Sequence, residues 1–199
     1  MLNGLLRDPM TRVMTPLAKG LLRAGISPGT VTASGAIGAV AASALLIPSG
    51  HLFVAALVVG AFAFSDLLDG TMARMSGQTT KWGAFLDSNL DRITDAAIFG
   101  SVAVYYSTRS HLFMVLSLIG MVSGFLVSYA RASAESLGLK CSGGLIERAE
   151  RLIIVLVAIG LAGLGIPYIA SVGLWLLAVG STFTFAQRLM QVHKVGRTT

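Results

Sequence analysis

Nine acidic residues occur in this chain of 199, and five fall between positions 66 and 95: Asp66, Asp69, Asp87, Asp91 and Asp95. Asp66 and Asp69 are spaced i, i+3 and Asp87 and Asp91 i, i+4, so each pair shares one face of a helix. Gly70 and Ala73 fall on the first face with Arg74 at its edge, and Gly83 lies one turn before Asp87. The eight residues Met75 to Trp82 join the two segments, which predicts antiparallel neighbours. Helix axes pack about 8–10 Å apart, within reach of short Asp side chains from both sides. Four close carboxylates repel one another unless protons or cations offset them. Two divalent cations balance four negative charges. An oxygen-only donor set with no His or Cys nearby suits Mg²⁺, Mn²⁺ or Ca²⁺ rather than zinc. Paired metals about 3.5–4 Å apart commonly act on phosphoryl groups. The competing reading is that these aspartates cap helices or pair with Arg74, Lys81 and Arg92.

The elements that must hold them are read from composition. Apolar residues make up 54% and charged residues 12%, about half the ~25% of a soluble domain. Mean hydropathy is +0.77. A soluble globule lacks its charged coat at this composition, the single Cys141 excludes a disulfide scaffold, and the hydrophobicity excludes disorder. The expectation is an all-α integral membrane protein. No Lys, Arg, Asp or Glu occurs from Ala24 to Ser65 or from Leu152 to Gln187. Each stretch is long enough for two crossings of about 20 residues. Pro48-Ser49-Gly50 and Gly165-Ile166-Pro167 divide them, and a third pair of spans lies between. Six transmembrane helices follow, over 28–48, 52–75, 80–106, 111–137, 149–166 and 168–192, in a single domain covering 1–199.

Residues 4–24 read as an N-terminal amphipathic helix lying at the membrane interface, not as a signal peptide. Leu6, Met10, Val13, Leu17 and Leu21 fall on one face, and Arg12, Lys19 and Arg23 on another. Pro9 and Pro16 are expected to shorten or kink it, and Ser27-Pro28 to cap and open the first span. With both termini on one side, 14 of the 15 Lys and Arg residues lie at that face and only Arg109 opposes them. The positive-inside rule makes that face, with the aspartates, cytoplasmic, in the cell's plasma membrane. The net charge of +6 then serves membrane lipids rather than nucleic acid.

The pattern Asp66-x2-Asp69-Gly70-x2-Ala73-Arg74-x8-Gly83-x3-Asp87-x3-Asp91 resembles the signature of the CDP-alcohol phosphotransferases, with all eight specified positions present. The resemblance implies an enzyme that uses two metal ions, usually Mg²⁺ with Mn²⁺ as the alternative. It moves a substituted phosphate from a CDP-alcohol such as CDP-diacylglycerol onto a hydroxyl and releases CMP. Carried onto this chain, Asp66, Asp69 and Asp87 hold one metal, and Asp66, Asp87 and Asp91 the other. Asp91 is also the catalytic base. Gly70, Arg74, Thr80 and the segment Gly29, Thr30, Val31 and Thr32 contact the CDP-lipid. Members are typically homodimers.

A second constellation, Arg131, Arg148, Arg151 and Arg188, is expected on the same side of the membrane. Arginine favours bidentate contact with phosphate oxygens, so the acceptor is expected to be a phosphorylated polyol. The alternative is that these residues snorkel to headgroups or pair with Glu135, Glu147 and Glu150, Glu147 and Arg151 being spaced i, i+4. Residues 128–135 and 143–151, with Gln187-Arg188, are similar to those of the actinobacterial phosphatidylinositol phosphate synthases, a branch of the same family. That similarity implies myo-inositol 3-phosphate as acceptor, held by Arg131, Arg151 and Arg188. Glycerol 3-phosphate, giving phosphatidylglycerophosphate, is the close competitor. A cation transporter is the rival class, although acids near one membrane face sit poorly with a midplane transport site. Gly120-x3-Gly124 marks a smooth strip suited either to packing within the bundle or to a dimer.

Overall fold

The structure, a computed structural model, describes residues 7–63, 65–77 and 80–196, apart from the side chains of 7–14, 66 and 67. The regular elements among the described residues are helices: α1 (Arg7–Arg23), α2 (Pro28–Leu46), α3 (Leu52–Ala63), α4 (Ser65–Ser76), α5 (Lys81–Ser107), α6 (His111–Ser136), α7 (Arg148–Gly163) and α8 (Ile169–Gly196). The expected second span, 52–75, corresponds to α3 and α4 together, and the other ends fall within a few residues of the sequence expectation, where caps and turn residues set them. The Ser27 Oγ accepts the N–H of Thr30 at 3.2 Å, opening α2 at Pro28. Gly50 takes φ +86° in the turn before α3. α1 continues through Pro16, and Pro9 sits in its first turn, where no intrahelical donor is missed. Residues 4–6 of the expected amphipathic segment lie outside the described residues.

Among the described residues, four stretches are long and apolar enough to cross a membrane: Pro28–Leu46, Leu52–Ser76, His111–Ser136 and Ile169–Gly196. They mark a membrane protein. The other two expected spans differ for identifiable reasons. α5 has 27 residues but carries Lys81, Asp87, Asp91, Arg92 and Asp95, and α7 has only 16 residues.

The chain divides into two compact units, Met1–Ala42 with Val58–Thr94, and Ser43–Leu57 with Asp95–Thr199. In the first, α1 packs on α4 around buried Ala18, Leu68 and Met72, with Leu21, Leu22 and Val31 completing the cluster. Leu17 is left 54% exposed, so α1 buries part of its apolar surface against α4 and presents part outward. α4 is also the helix of Asp66, Asp69, Gly70 and Arg74.

In the second unit α8 packs against both α6 and α7, over a core that includes Phe99, Val155, Ile159, Leu174 and Leu177. The Gly120–Gly124 strip is used here. A Cβ on Gly120 would meet the Phe99 ring at 3.2 Å and Leu177 at 3.8 Å, and one on Gly124 would meet the Arg151 Nε at 3.0 Å. The strip therefore serves packing inside this unit.

The loop between α6 and α7 is fastened to one face of α8. The N–H of Ile146 donates to Thr184 Oγ1 at 3.0 Å and that of Leu145 to Gln187 Oε1 at 3.2 Å. Gly144 has φ +152°, and a Cβ there would run into the Thr184 side chain. Gly144→Ala is therefore expected to destabilise the protein by about 2 kcal/mol or more, read as a lowered unfolding temperature in detergent. An unchanged temperature would mean that the loop is not held this way.

Candidate active site

The aspartate signature lies on two helices of the first unit. Asp66 and Asp69 lie one turn apart near the start of α4, and Asp87 and Asp91 one turn apart in the first half of α5. Asp69 is buried, at 6% exposure. A buried carboxylate needs compensation, by hydrogen bonds or by opposite charge. Asp91 is 16% exposed at its side chain, with Arg92 Nη1 3.6 Å from its Oδ2. Asp87 is intermediate in burial. No group of three or more His, Cys, Asp or Glu side chains close enough to hold a metal occurs among the described residues, which exclude the side chain of Asp66.

The residue types fit a hard divalent cation. Every candidate donor in the signature is a carboxylate oxygen, the donor that Mg²⁺ and Mn²⁺ prefer. Beside Asp69, the backbone at Gly70 is open. A Cβ placed there would find Arg74 Nη1 at 3.9 Å as its nearest neighbour. Arg74 is exposed and donates from Nη2 to Thr71 Oγ1 at 3.2 Å. Gly70 and Arg74 are thus brought together, a bare stretch of backbone under a guanidinium, which suits a phosphate ester.

Thr80 and the start of α2 are engaged in capping. Thr80 Oγ1 accepts the Gly83 N–H at 2.9 Å and so starts α5. Thr30 Oγ1 lies 2.9 Å from Ser27 Oγ, and Thr32 donates to the Pro28 carbonyl at 3.1 Å. Gly29 and Val31 lie in the same first turns of α2. These side chains hold the helix starts that orient the adjoining backbone N–H groups, which are favourable partners for phosphate.

The arginines divide into two kinds. Arg131 is exposed and its Nε bonds Glu135 Oε1 at 2.8 Å, both side chains being 54% exposed. This is the i, i+4 pairing that the spacing allowed. Arg151 and Arg188 are buried, at 1% and 3% exposure. Arg188 donates from Nη1 to the Val127 carbonyl at 2.6 Å and from Nε to the Gly143 carbonyl at 3.2 Å, with Nη2 3.7 Å from Glu147 Oε1. It ties α6, the α6–α7 loop and the start of α7 to α8.

Arg151 does not follow the local i, i+4 expectation with Glu147. Its Nη2 donates to Asp95 Oδ2 at 3.2 Å, and Arg148 Nε lies 3.5 Å from Asp95 Oδ1. Glu147 goes instead to Arg188, and its N–H is received by Glu150 at 3.2 Å, which caps α7. Sequence reasoning gave Asp95 no role. The signal was present: Asp87, Asp91 and Asp95 continue at i, i+4 along one helix.

The sequence profile of the CDP-alcohol phosphatidyltransferases matches residues 26–186. The phosphatidylinositol phosphate synthase of Streptomyces avermitilis is 46% identical over 98% of this chain and 83% of its own length. That of Corynebacterium glutamicum is 43% identical over 94% and 87%. The crystal structure of the Mycobacterium tuberculosis phosphatidylinositol phosphate synthase with CDP-DAG bound matches with a TM-score of 0.87 and 44% identity, covering 91% of this chain and 94% of that one. The structure of the same enzyme with manganese and citrate also gives 0.87 and 44%, over 90% and 88%. A match across this much of the chain, at these identities, settles the rival class in favour of an enzyme: this chain belongs to the CDP-alcohol phosphatidyltransferase family.

Proposed function

We propose that this protein transfers the phosphatidyl group of CDP-diacylglycerol to myo-inositol 3-phosphate, giving phosphatidylinositol phosphate and CMP. The observation that carries the acceptor assignment is the burial of Arg151 and Arg188 in the second unit. Buried guanidinium groups are costly to maintain, and an acceptor that already bears a phosphate gives them a use. The relatives that carry the synthase name support the same reading.

In this reading Asp66, Asp69, Asp87 and Asp91 hold two divalent cations, Mg²⁺ with Mn²⁺ as substitute. When bound, these supply positive charge to the diphosphate and to the departing CMP. Gly70 lets the nucleotide approach the backbone, Arg74 faces its phosphates, and Thr80 with the Gly29–Thr32 turn completes the pocket. Arg131, Arg151 and Arg188 hold the acceptor phosphate. The carboxylate of Asp91 takes the proton from the attacking hydroxyl. The new P–O bond forms at the lipid-bearing phosphorus, and the bond to the CMP oxygen breaks. Holding both substrates in line removes much of the entropic barrier.

The protein acts, on this proposal, as one domain of six spans in the plasma membrane. Its termini and site are cytoplasmic, α1 rests at the lipid headgroups, and the functional unit is a homodimer.

The test is CMP release from CDP-diacylglycerol with inositol phosphate, glycerol 3-phosphate, serine and free inositol as competing acceptors. The expected result is preference for inositol phosphate, with free inositol and serine inert. Preference for glycerol 3-phosphate would make the product phosphatidylglycerophosphate. Equal use of phosphorylated and unphosphorylated acceptors would remove the arginines from acceptor recognition.

A further inference from the structure

We infer that Asp95 is a positioning residue for acceptor recognition, its one carboxylate dividing between Arg148 and Arg151 and fixing the aim of both guanidiniums toward a phosphate monoester. This rests on the phosphorylated-acceptor reading above and assigns a residue outside the eight-position signature.

The geometry is specific. Each Asp95 oxygen faces a different arginine, Oδ2 at 3.2 Å from Arg151 Nη2 and Oδ1 at 3.5 Å from Arg148 Nε. Side-chain exposure rises from 1% at Arg151 through 10% at Asp95 to 25% at Arg148. The cluster therefore has a closed inner end and an open outer end. Two guanidiniums meet at one carboxylate, which fixes their spacing, and a phosphate monoester takes paired N–H contacts from guanidiniums held in this way. The inner end is held from behind by α6. At Gly124 a Cβ would sit 3.0 Å from Arg151 Nε and 3.2 Å from its Cζ. A Cβ there would press the guanidinium aside by a few tenths of an ångström, so its position is set by two elements, α5 through Asp95 and α6 through Gly124. Removing the carboxylate removes the contact that joins the two guanidiniums, and their aim is no longer fixed by a shared partner.

The test measures KM for inositol phosphate and for CDP-diacylglycerol by CMP release. It uses the full-length protein in detergent with Asp95→Asn, Asp95→Glu and Arg151→Lys, and thermal unfolding is followed in parallel. Asp95→Asn is expected to raise the acceptor KM about tenfold or more, with the CDP-diacylglycerol KM held within about twofold, since the nucleotide contacts proposed above lie on other residues. Asp95→Glu keeps the charge but shifts it by one methylene, so it is expected to raise the acceptor KM by a smaller factor, about threefold. Should the Asn variant not fold, a Glu variant of normal stability with the acceptor KM raised and the CDP-lipid KM unchanged supports the inference. An unchanged acceptor KM in the Glu variant would overturn it in that case.

A lowered acceptor KM in Asp95→Asn also overturns the inference, because the carboxylate would then only be offsetting charge. So does a parallel loss for both substrates, which marks a structural role alone. Arg151→Lys separates the two levels. If it leaves the acceptor KM unchanged, the phosphorylated-acceptor reading falls and the inference with it. If it raises the acceptor KM while a folded Asp95→Asn does not, only the inference falls.

Discussion

Asp91→Asn is expected to slow CMP formation by about 10²–10⁴-fold while leaving CDP-diacylglycerol binding in place. The substitution keeps the shape of the side chain and an oxygen that remains a weaker cation ligand, and removes the negative charge and with it the ability to take up a proton. The attacking hydroxyl is a poor nucleophile until its proton leaves, so the effect falls on the chemical step. On the proposal above, ground-state binding of the CDP-lipid draws on Gly70, Arg74 and the other carboxylates, which stay as they are. Asp91 is 16% exposed, with Arg92 Nη1 3.6 Å away. An isosteric amide at that place exchanges an ion pair for a charge–dipole contact on a partly exposed pair, a small change in stability. Single-turnover CMP release alongside equilibrium binding of CDP-diacylglycerol separates the two effects. Turnover close to that of the unaltered protein would remove Asp91 as the base. Loss of binding in step with loss of turnover would give it a role in holding the nucleotide instead.

Helix positions were legible because caps and turns are local. Ser27, Gly50 and Ser110 sit where chain direction changes, and each acts within three residues of itself. The aspartate pairs were legible because i, i+3 and i, i+4 spacing is a property of any helix. What the chain order does not reveal is which of several allowed partners a charge takes. Arg131 took its local partner, Glu135, both side chains being exposed. Arg151 had a local partner of equal spacing in Glu147, yet it lies against Asp95, 56 residues away in sequence. Burial decides this. At 1% exposure Arg151 lies deep enough to meet the buried Asp95, whereas Glu147, 38% exposed at its side chain, is engaged by Arg188. A charge-free window finds spans such as α8 directly. It passes over α5, where Asp87, Asp91 and Asp95 precede a stretch, Ala96 to Val104, that is apolar apart from Ser101.

Exhaustive treatment with EDTA is expected to abolish CMP release, and Mg²⁺ or Mn²⁺ to restore it. The argument is electrostatic. Two unit charges 4 Å apart interact by about 4 kcal/mol at an effective dielectric of 20, and on the two-cation proposal the four carboxylates of α4 and α5 bring several such repulsions together. The pyrophosphate of CDP-diacylglycerol adds more negative charge, so the substrate itself is repelled unless cations precede or accompany it. Loss on chelation is therefore expected in CDP-lipid binding as well as in turnover, in contrast to Asp91→Asn. Stability gives a readout that does not depend on catalysis. Cations that bind the folded state raise its stability by about 2.7 kcal/mol at a hundredfold excess over Kd, seen as a higher unfolding temperature on adding Mg²⁺ to chelated protein. Asp69→Asn is expected to weaken that rise, because Asp69 is a buried candidate ligand of the signature. Full activity after chelation, with no rise in unfolding temperature on adding either ion, would leave the carboxylates without a counter-charge and end the two-cation assignment.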